Sequence, residues 1–265
     1  MSEIQLATVL VGATGFKESN VNDTFRGQVL TADGEVKQAI IKDLNIVQLC
    51  NELVAHCLAR EVGLPIPDGY LGLVRPGVLS VTKAPNTADG SRLVFVSVDV
   101  KVPNVTYRWQ GSDAAGKQAL LAEIMQWGDL GHLYAYDAWI ANVDRHAGNL
   151  LFGGNSEFWL IDHGHCFTGP DWQVGQLDPD SEYRNRLSEW LTGFLTFDQK
   201  KKRASEVRKF GAEIAGFDAT ETSENSRIAD LLPLQHVDAV KQFLEKRTAR
   251  VPLDASKALG VPQMV

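Results

Sequence analysis

The sequence predicts an α+β protein built in two parts, a small strand-rich front and a larger helical back, and three observations predict it. Short apolar runs bounded by turn residues fill the first third of the chain. The apolar spacing changes to a three- and four-residue period once within that front, after Asn45, and again through most of the chain beyond residue 115. Two polar motifs near Asp144 and Asp162 are separated by a short strand–turn–strand signal.

Taken in order, residues 6–11 (LATVLV) are an apolar run closed by the turn Gly12-Ala13-Thr14-Gly15. Residues 25–30 and 36–42 flank Ala32-Asp33-Gly34, and Asp-Gly between two apolar-rich runs predicts a hairpin. Ile46, Leu49, Cys50, Leu53, Val54, Cys57 and Leu58 recur at helical spacing and predict an amphipathic helix, stopped at Gly63 with Pro65 and Pro67 beyond. Strand-like runs follow at 70–74, 78–81 and 93–98, and the polar stretch 103–115 reads as a connector. Residues 117–127 and 130–142 predict two helices, parted by Gly128-Asp129. Residues 150–152 and 157–161 predict a short hairpin across Gly153-Gly154-Asn155-Ser156. From about 180 to 250 the pattern is helical, with loops expected near 216–226 and at Pro233. The division expected is 1–98, a connector 99–115, and 116–265, with no repeat and no low-complexity tract.

Composition excludes several classes. Hydrophobic residues make up 44% of the 265 and charged residues 22%, as in ordinary folded proteins, which argues against wholesale disorder. A net charge of −7 supplies no basic field for nucleic acid, and Lys200-Lys201-Lys202-Arg203 reads as a solvated helix face. No apolar stretch approaches the ~20 residues of a membrane span, and the N-terminus carries no secretory pattern. Cys50, Cys57 and Cys166 form neither an even framework nor a CxxC pair, which points to a reducing compartment and a cytoplasmic location.

The chemistry concentrates in Asp144-Arg145-His146-Ala147-Gly148-Asn149 and in Phe158-Trp159-Leu160-Ile161-Asp162-His163-Gly164. Phosphoryl transfer from a nucleotide needs a group at the attacking hydroxyl and oxygen ligands for magnesium. An Asp, an Asn five positions on, and a second Asp ending an apolar strand supply those roles. Taken singly, Asp144 can cap a turn, Asn149 can sit at a left-handed loop position and Asp162 can start a turn. Their order and the intervening strand pair carry the signal. His146 competes with Asp144 for the acceptor proton, because an imidazole is a natural base near neutrality. Upstream, Ala39-Ile40-Ile41-Lys42 resembles the strand that carries the phosphate-contacting lysine of kinases, and Glu52 on the next helix is placed to pair with it. Lys42→Met is accordingly expected to lower turnover far more than stability. Gly12 and Gly15, in GATGFKES, offer backbone N–H groups to cover phosphates, although the segment fits no GxxxxGK[ST] loop.

These motifs carry a resemblance. NVDRHAGN (142–149) resembles the N-x-D-x-H-x-x-N loop of HipA-like proteins in the protein-kinase-like superfamily, and DRHAGN is similar to the DRHxxN loop of phosphatidylinositol kinases. NELVAHCLAREVGLPIP (51–67) resembles the HipA-like helix that brings the acidic partner; the resemblance spans about residues 36–170. It implies a bilobal protein-kinase-like fold with ATP and Mg2+ in the cleft. Lys42 would meet the phosphates with Glu52 holding it, Asp144 would be the base, and Asn149 and Asp162 would hold metal. Residues 96–98, Val98 included, and Asp99 would form the hinge that meets adenine. A protein serine or threonine hydroxyl is the expected acceptor, ahead of a small molecule or lipid, and an antitoxin-like or regulatory protein the expected partner. Phosphorylation of Thr14 or Ser19 is a further expectation.

The chain departs from that pattern at Asp162-His163-Gly164, where protein kinases carry Asp-Phe-Gly, and the extra N-terminal region of HipA toxins is expected to be absent. Asn142-Val143 before Asp144 differ from the His-Gly-Asp of aminoglycoside phosphotransferases. A non-catalytic kinase-fold binding module is opposed by intact Lys42, Asp144, Asn149 and Asp162. A transition-metal site from His146, His163, His165 and Cys166 matches no recognised zinc spacing.

Overall fold

The apolar runs at the front pair into a single sheet that closes on itself. The computed structural model describes residues 3–16, 23–183 and 185–261. Strands β1 (Gln5–Val9), β2 (Thr14–Gly15), β3 (Thr24–Thr31), β4 (Val36–Lys42), β5 (Gly69–Val74) and β6 (Arg92–Val98) take the order β1-β5-β6-β4-β3-β2. β1 also pairs with the end of β3, which seals the ring. Alternate residues point inward, so Val9, Val29, Ala39, Ile41, Val94 and Val96 fill the interior. A Cβ at Gly72 would lie 2.5 Å from Val96 and 2.9 Å from Val94. Glycine there is what lets both valines occupy the ring.

Residues 78–81, expected as a strand, form a turn and loop instead. Gly77 takes φ 79°, and the backbone N–H groups of Thr82, Lys83 and Ala84 donate to the buried carboxylate of Asp43. A side chain supplies the acceptor that a neighbouring strand would have offered.

Helix α1 (Ile46–Glu61) is capped by the Asn45 side chain, which accepts from the Gln48 N–H at 2.8 Å, and ends before Gly63 in the left-handed region. Leu49, Leu53 and Cys57 pack on Leu71 and Phe95 of the sheet. Cys50, Val54 and Leu58 pack into the helical core on the other side. The predicted period is therefore correct, but the expected solvent face is missing, since Gln48, Asn51, Glu52 and His56 are buried as well.

Burial, with help from the Arg60 charge, pushes the His56 imidazole down to about 4. Its ordinary value is near 6.5, so between those limits the unfolded chain binds the extra proton and stability falls as pH falls. Wild type is expected to lose on the order of 3 kcal/mol from this group between neutrality and pH 4. Denaturant unfolding of wild type and His56→Leu over that range should show a shallower acid slope in the variant.

The back of the molecule is helical around one short hairpin. The expected connector contains α2 (Val105–Gly111), followed by α3 (Ala114–Gln126) and α4 (Leu130–Trp139). α4 stops short of Asn142 because Ala141 turns left-handed at φ 46°. β7 (Leu150–Gly154) and β8 (Glu157–Leu160) pair antiparallel. Then come α5 (Arg186–Leu191), α6 (Phe197–Glu213), α7 (Ala219–Asn225), α8 (Ile228–Leu231), α9 (Leu234–Thr248) and α10 (Val251–Ala258). α7 lies where a loop was expected, and Asp218 caps it by accepting from the N–H groups of Thr220 and Glu221. Trp139 anchors this core, its indole N–H donating to Leu244 O at 3.0 Å. Among the described residues no helix is long and apolar enough to cross a membrane.

Candidate active site

Lys42 is the last residue of β4 and pairs in register with Phe95 on β6, which puts it on the outer face of the sheet, toward α1. Its ammonium lies 2.6 Å from Glu52 Oε1 and also donates to the Asp162 carboxylate. Burial by itself would pull this ammonium down, but the charges of Asp162 and Glu52 outweigh it and hold the group above its ordinary value. Burial likewise opposes ionisation of Glu52, yet Lys42 and the His163 contact keep that carboxyl well below the usual range. The second Glu52 oxygen accepts from the His163 backbone N–H at 3.1 Å. One buried glutamate thus ties the lysine of the sheet to the segment carrying Asp162.

The 144–149 loop is held from beneath by Arg145, which is fully buried. Its Nε donates to both oxygens of Asp137 at 3.2 Å. Its Nη1 donates to Asn149 O at 3.1 Å and Ile161 O at 3.0 Å. That strut fixes the loop relative to the strand that delivers Asp162. Asp162 sits at φ 59°, a left-handed conformation that aspartate tolerates better than most residues.

Asn149 uses its amide N–H groups inside the site, donating to Asp144 O at 3.0 Å and Asp162 O at 3.5 Å. Its carbonyl oxygen Oδ1 is the atom left for a cation. His146 Nδ1 accepts from the Gly148 N–H at 2.9 Å, and burial lowers the imidazole below its ordinary value. The neutral ring therefore carries its proton on Nε2 and acts as a donor there. Asp144 is half-buried, with one oxygen 2.7 Å from Arg186 Nη1 and the other 3.9 Å from His165 Nδ1.

Lys42, Glu52, Asn149 and Asp162 are joined by direct contacts, and Asp144 is linked to them through Asn149. Gly12 lies at a turn, while Gly15 is paired with Phe25 inside β2 and β3. Thr14 pairs with Arg26 in the same ladder, and Ser19 falls outside the described residues. The N–H groups of the expected hinge are already engaged: Val98 donates to Asp68 O at 2.8 Å and Asp99 to Gln38 O at 2.9 Å. Asp99 is further paired with Arg26 at 2.9 Å. The four residues of the transition-metal reading do not converge. His163 is buried against Glu52 while His165 faces Asp144, and among the described residues no three His, Cys, Asp or Glu could hold a metal ion. Two oxygen donors, Asn149 Oδ1 and the Asp162 carboxylate, fit magnesium, which takes few protein ligands and completes its shell with phosphates and water.

Sequence reasoning missed three supports. Asn51 donates to the carbonyls of Gly164, Cys166 and Gly169 and accepts from the Trp172 indole, which pins the segment after Asp162 to α1. An amide one position before Glu52 on a largely apolar helix was its only signal. Asp137 and Arg186 act across 8 and 42 residues, distances at which local pattern carries no information.

Among solved structures, the crystal structure of a Helicobacter pylori proinflammatory kinase, CtkA, shares this mixed α+β fold. The match has a TM-score of 0.55 over 89% of this chain and 94% of that one, at 14% sequence identity. In sequence, the profile of the HipA-like kinases matches residues 31–178, more than half of the chain and the stretch from Lys42 through Asp162. The chain belongs to the HipA-like kinase family. No curated protein matches it in sequence.

Proposed function

We propose that this protein is an ATP- and magnesium-dependent phosphotransferase acting on a serine or threonine hydroxyl of a protein. One observation carries the reading: a buried lysine from the sheet is held at once by a helix glutamate and by the aspartate two residues past β8. On this reading residues 1–98 and 116–265 are two lobes facing a cleft, joined through 99–115. Lys42 meets the phosphates, and Glu52 keeps its ammonium in place. Asn149 and Asp162 hold magnesium, which offsets phosphate charge when bound.

Asp144 orients the acceptor hydroxyl and receives its proton. The geometry supports Asp144 over His146, because the Nδ1 lone pair of His146 is already engaged by Gly148 and Nε2–H can only donate. His146 is then a hydrogen-bond donor to phosphate oxygen. The engaged N–H groups of Val98 and Asp99 leave the adenine contact to neighbouring groups of the 96–102 segment. Three buried free thiols suit a reducing cytoplasm, and a regulatory protein partner of the antitoxin kind is part of the same proposal.

Calorimetric titration with ATP, with and without magnesium, tests the nucleotide part. Binding heat is expected only, or far more strongly, with the metal. Equal and undetectable heat in both, from a chain that still unfolds cooperatively, would sink the proposal.

A further inference from the structure

Arg186 is an exposed residue with a backbone fixed on both sides. Before it, Asn185 Nδ2 donates to Asp137 Oδ2 at 2.9 Å. After it, the Leu187 N–H donates to Arg145 O at 2.7 Å. The start of α5 is thereby clamped to the same buried strut that supports the 144–149 loop. From that platform the side chain, 58% exposed, lays Nη1 2.7 Å from Asp144 Oδ1. Among the described residues Asp144 is its one hydrogen-bonded partner. A guanidinium has five N–H donors in a fixed fork. Nε and Nη2 thus stay available to a second anion while the contact with Asp144 persists.

The charges around Asp144 give this cation a task. Arg145 is spent in the interior, Lys42 is enclosed by two carboxylates, and His146 is neutral. An acceptor bearing a carboxylate would meet Asp144, Asp162 and a chain of net charge −7. A basic acceptor would compete with Arg186 for Asp144 and be repelled by it. Such like-charge contacts are a strong means of discrimination.

Resting on the kinase reading above, we infer that Arg186 is a specificity-determining residue that selects protein acceptors with an acidic side chain beside the target hydroxyl. The fork bridges Asp144 and the acceptor carboxylate and so holds the hydroxyl against the residue that orients it.

The test uses the full chain with ATP, magnesium and two serine/threonine peptide libraries, one with Glu and one with Lys fixed beside the hydroxyl. Wild type should favour the Glu library about tenfold in kcat/KM, the difference lying in KM, as charge-assisted pairing of a single Arg implies. Arg186→Gln should level the two libraries, and Arg186→Glu should turn the preference toward Lys. Equal rates in wild type, or a preference that survives Arg186→Gln, would overturn the inference and leave the kinase reading intact. A chain that binds ATP with magnesium but phosphorylates neither library overturns it as well, while nucleotide binding stands. Absence of ATP binding removes both.

Discussion

Asp144→Asn is expected to lower phosphoryl transfer by on the order of 10²–10⁴-fold while leaving ATP binding near the wild-type level. On the proposed reading the carboxylate lies at the acceptor end of the site, with Arg186 on one oxygen and a distant His165 on the other. It makes no contact with Lys42, so nucleotide affinity has no reason to follow it. The lost pair with Arg186 is exposed, so unfolding should shift little. An aspartate is a weak base by its ordinary pKa, but in a loose transition state the acceptor proton moves late and orientation of the hydroxyl matters more. His146→Ala should retain measurable activity, since it removes a donor to phosphate and not the group that receives the proton. Single-turnover transfer with labelled ATP, beside a nucleotide-binding titration, checks both variants. If the histidine variant is inactive and the Asn variant keeps most of its rate, the two roles must be exchanged.

Lys42→Met is expected to remove activity and, against the expectation from sequence, to cost substantial stability too. Lys42 and Glu52 are 7% and 2% exposed. Removing the cation leaves Glu52 charged and enclosed, and breaking a buried pair from one side costs about 3–5 kcal/mol. A compensating change identifies the cause. Lys42→Met with Glu52→Leu should recover much of the lost stability and none of the activity, because no stranded charge remains. The gap between wild type and Lys42→Met should also hold steady across the neutral range. Glu52 is depressed from an ordinary value of 4.5, so its share is present above that pH and fades as acid reaches the folded-state value. Lys42 is raised from 10.5, so its share is full below that pH and is lost only in stronger base. Denaturant unfolding of the four combinations between about pH 5 and 9 should therefore show a nearly constant gap.

Local physics makes much of this protein legible in its sequence alone. Asp33-Gly34 between two apolar runs specified the β3–β4 hairpin, because the turn needs a left-handed residue and Gly34 takes φ 87°. The period of Ile46 through Leu58 specified α1, and Gly63 specified its end. The 144–149 loop, the hairpin after it and Asp162 at its close were legible for the same reason: each is encoded by residues a few positions apart. Where sequence reading failed, a distant group had intervened. Residues 78–81 are not a strand: Gly77 turns the chain left-handed just before them, and Asp43, 39 residues or more away, holds the amides of Thr82, Lys83 and Ala84 just after them. The polar residues of α1 face no water because the sheet packs on one side of it and the helical core on the other. The sequence by itself determined most of the elements and the family, and it marked the candidate site residues, since these depend on short-range spacing. Tertiary structure alone decided that Glu52 serves Lys42 and the Asp162 segment together, that Arg145 is a buried strut, that His146 presents a donor, and that Arg186 stands over Asp144. Each of those outcomes depends on which charges share a low-dielectric space, and only the folded chain brings them within reach of one another.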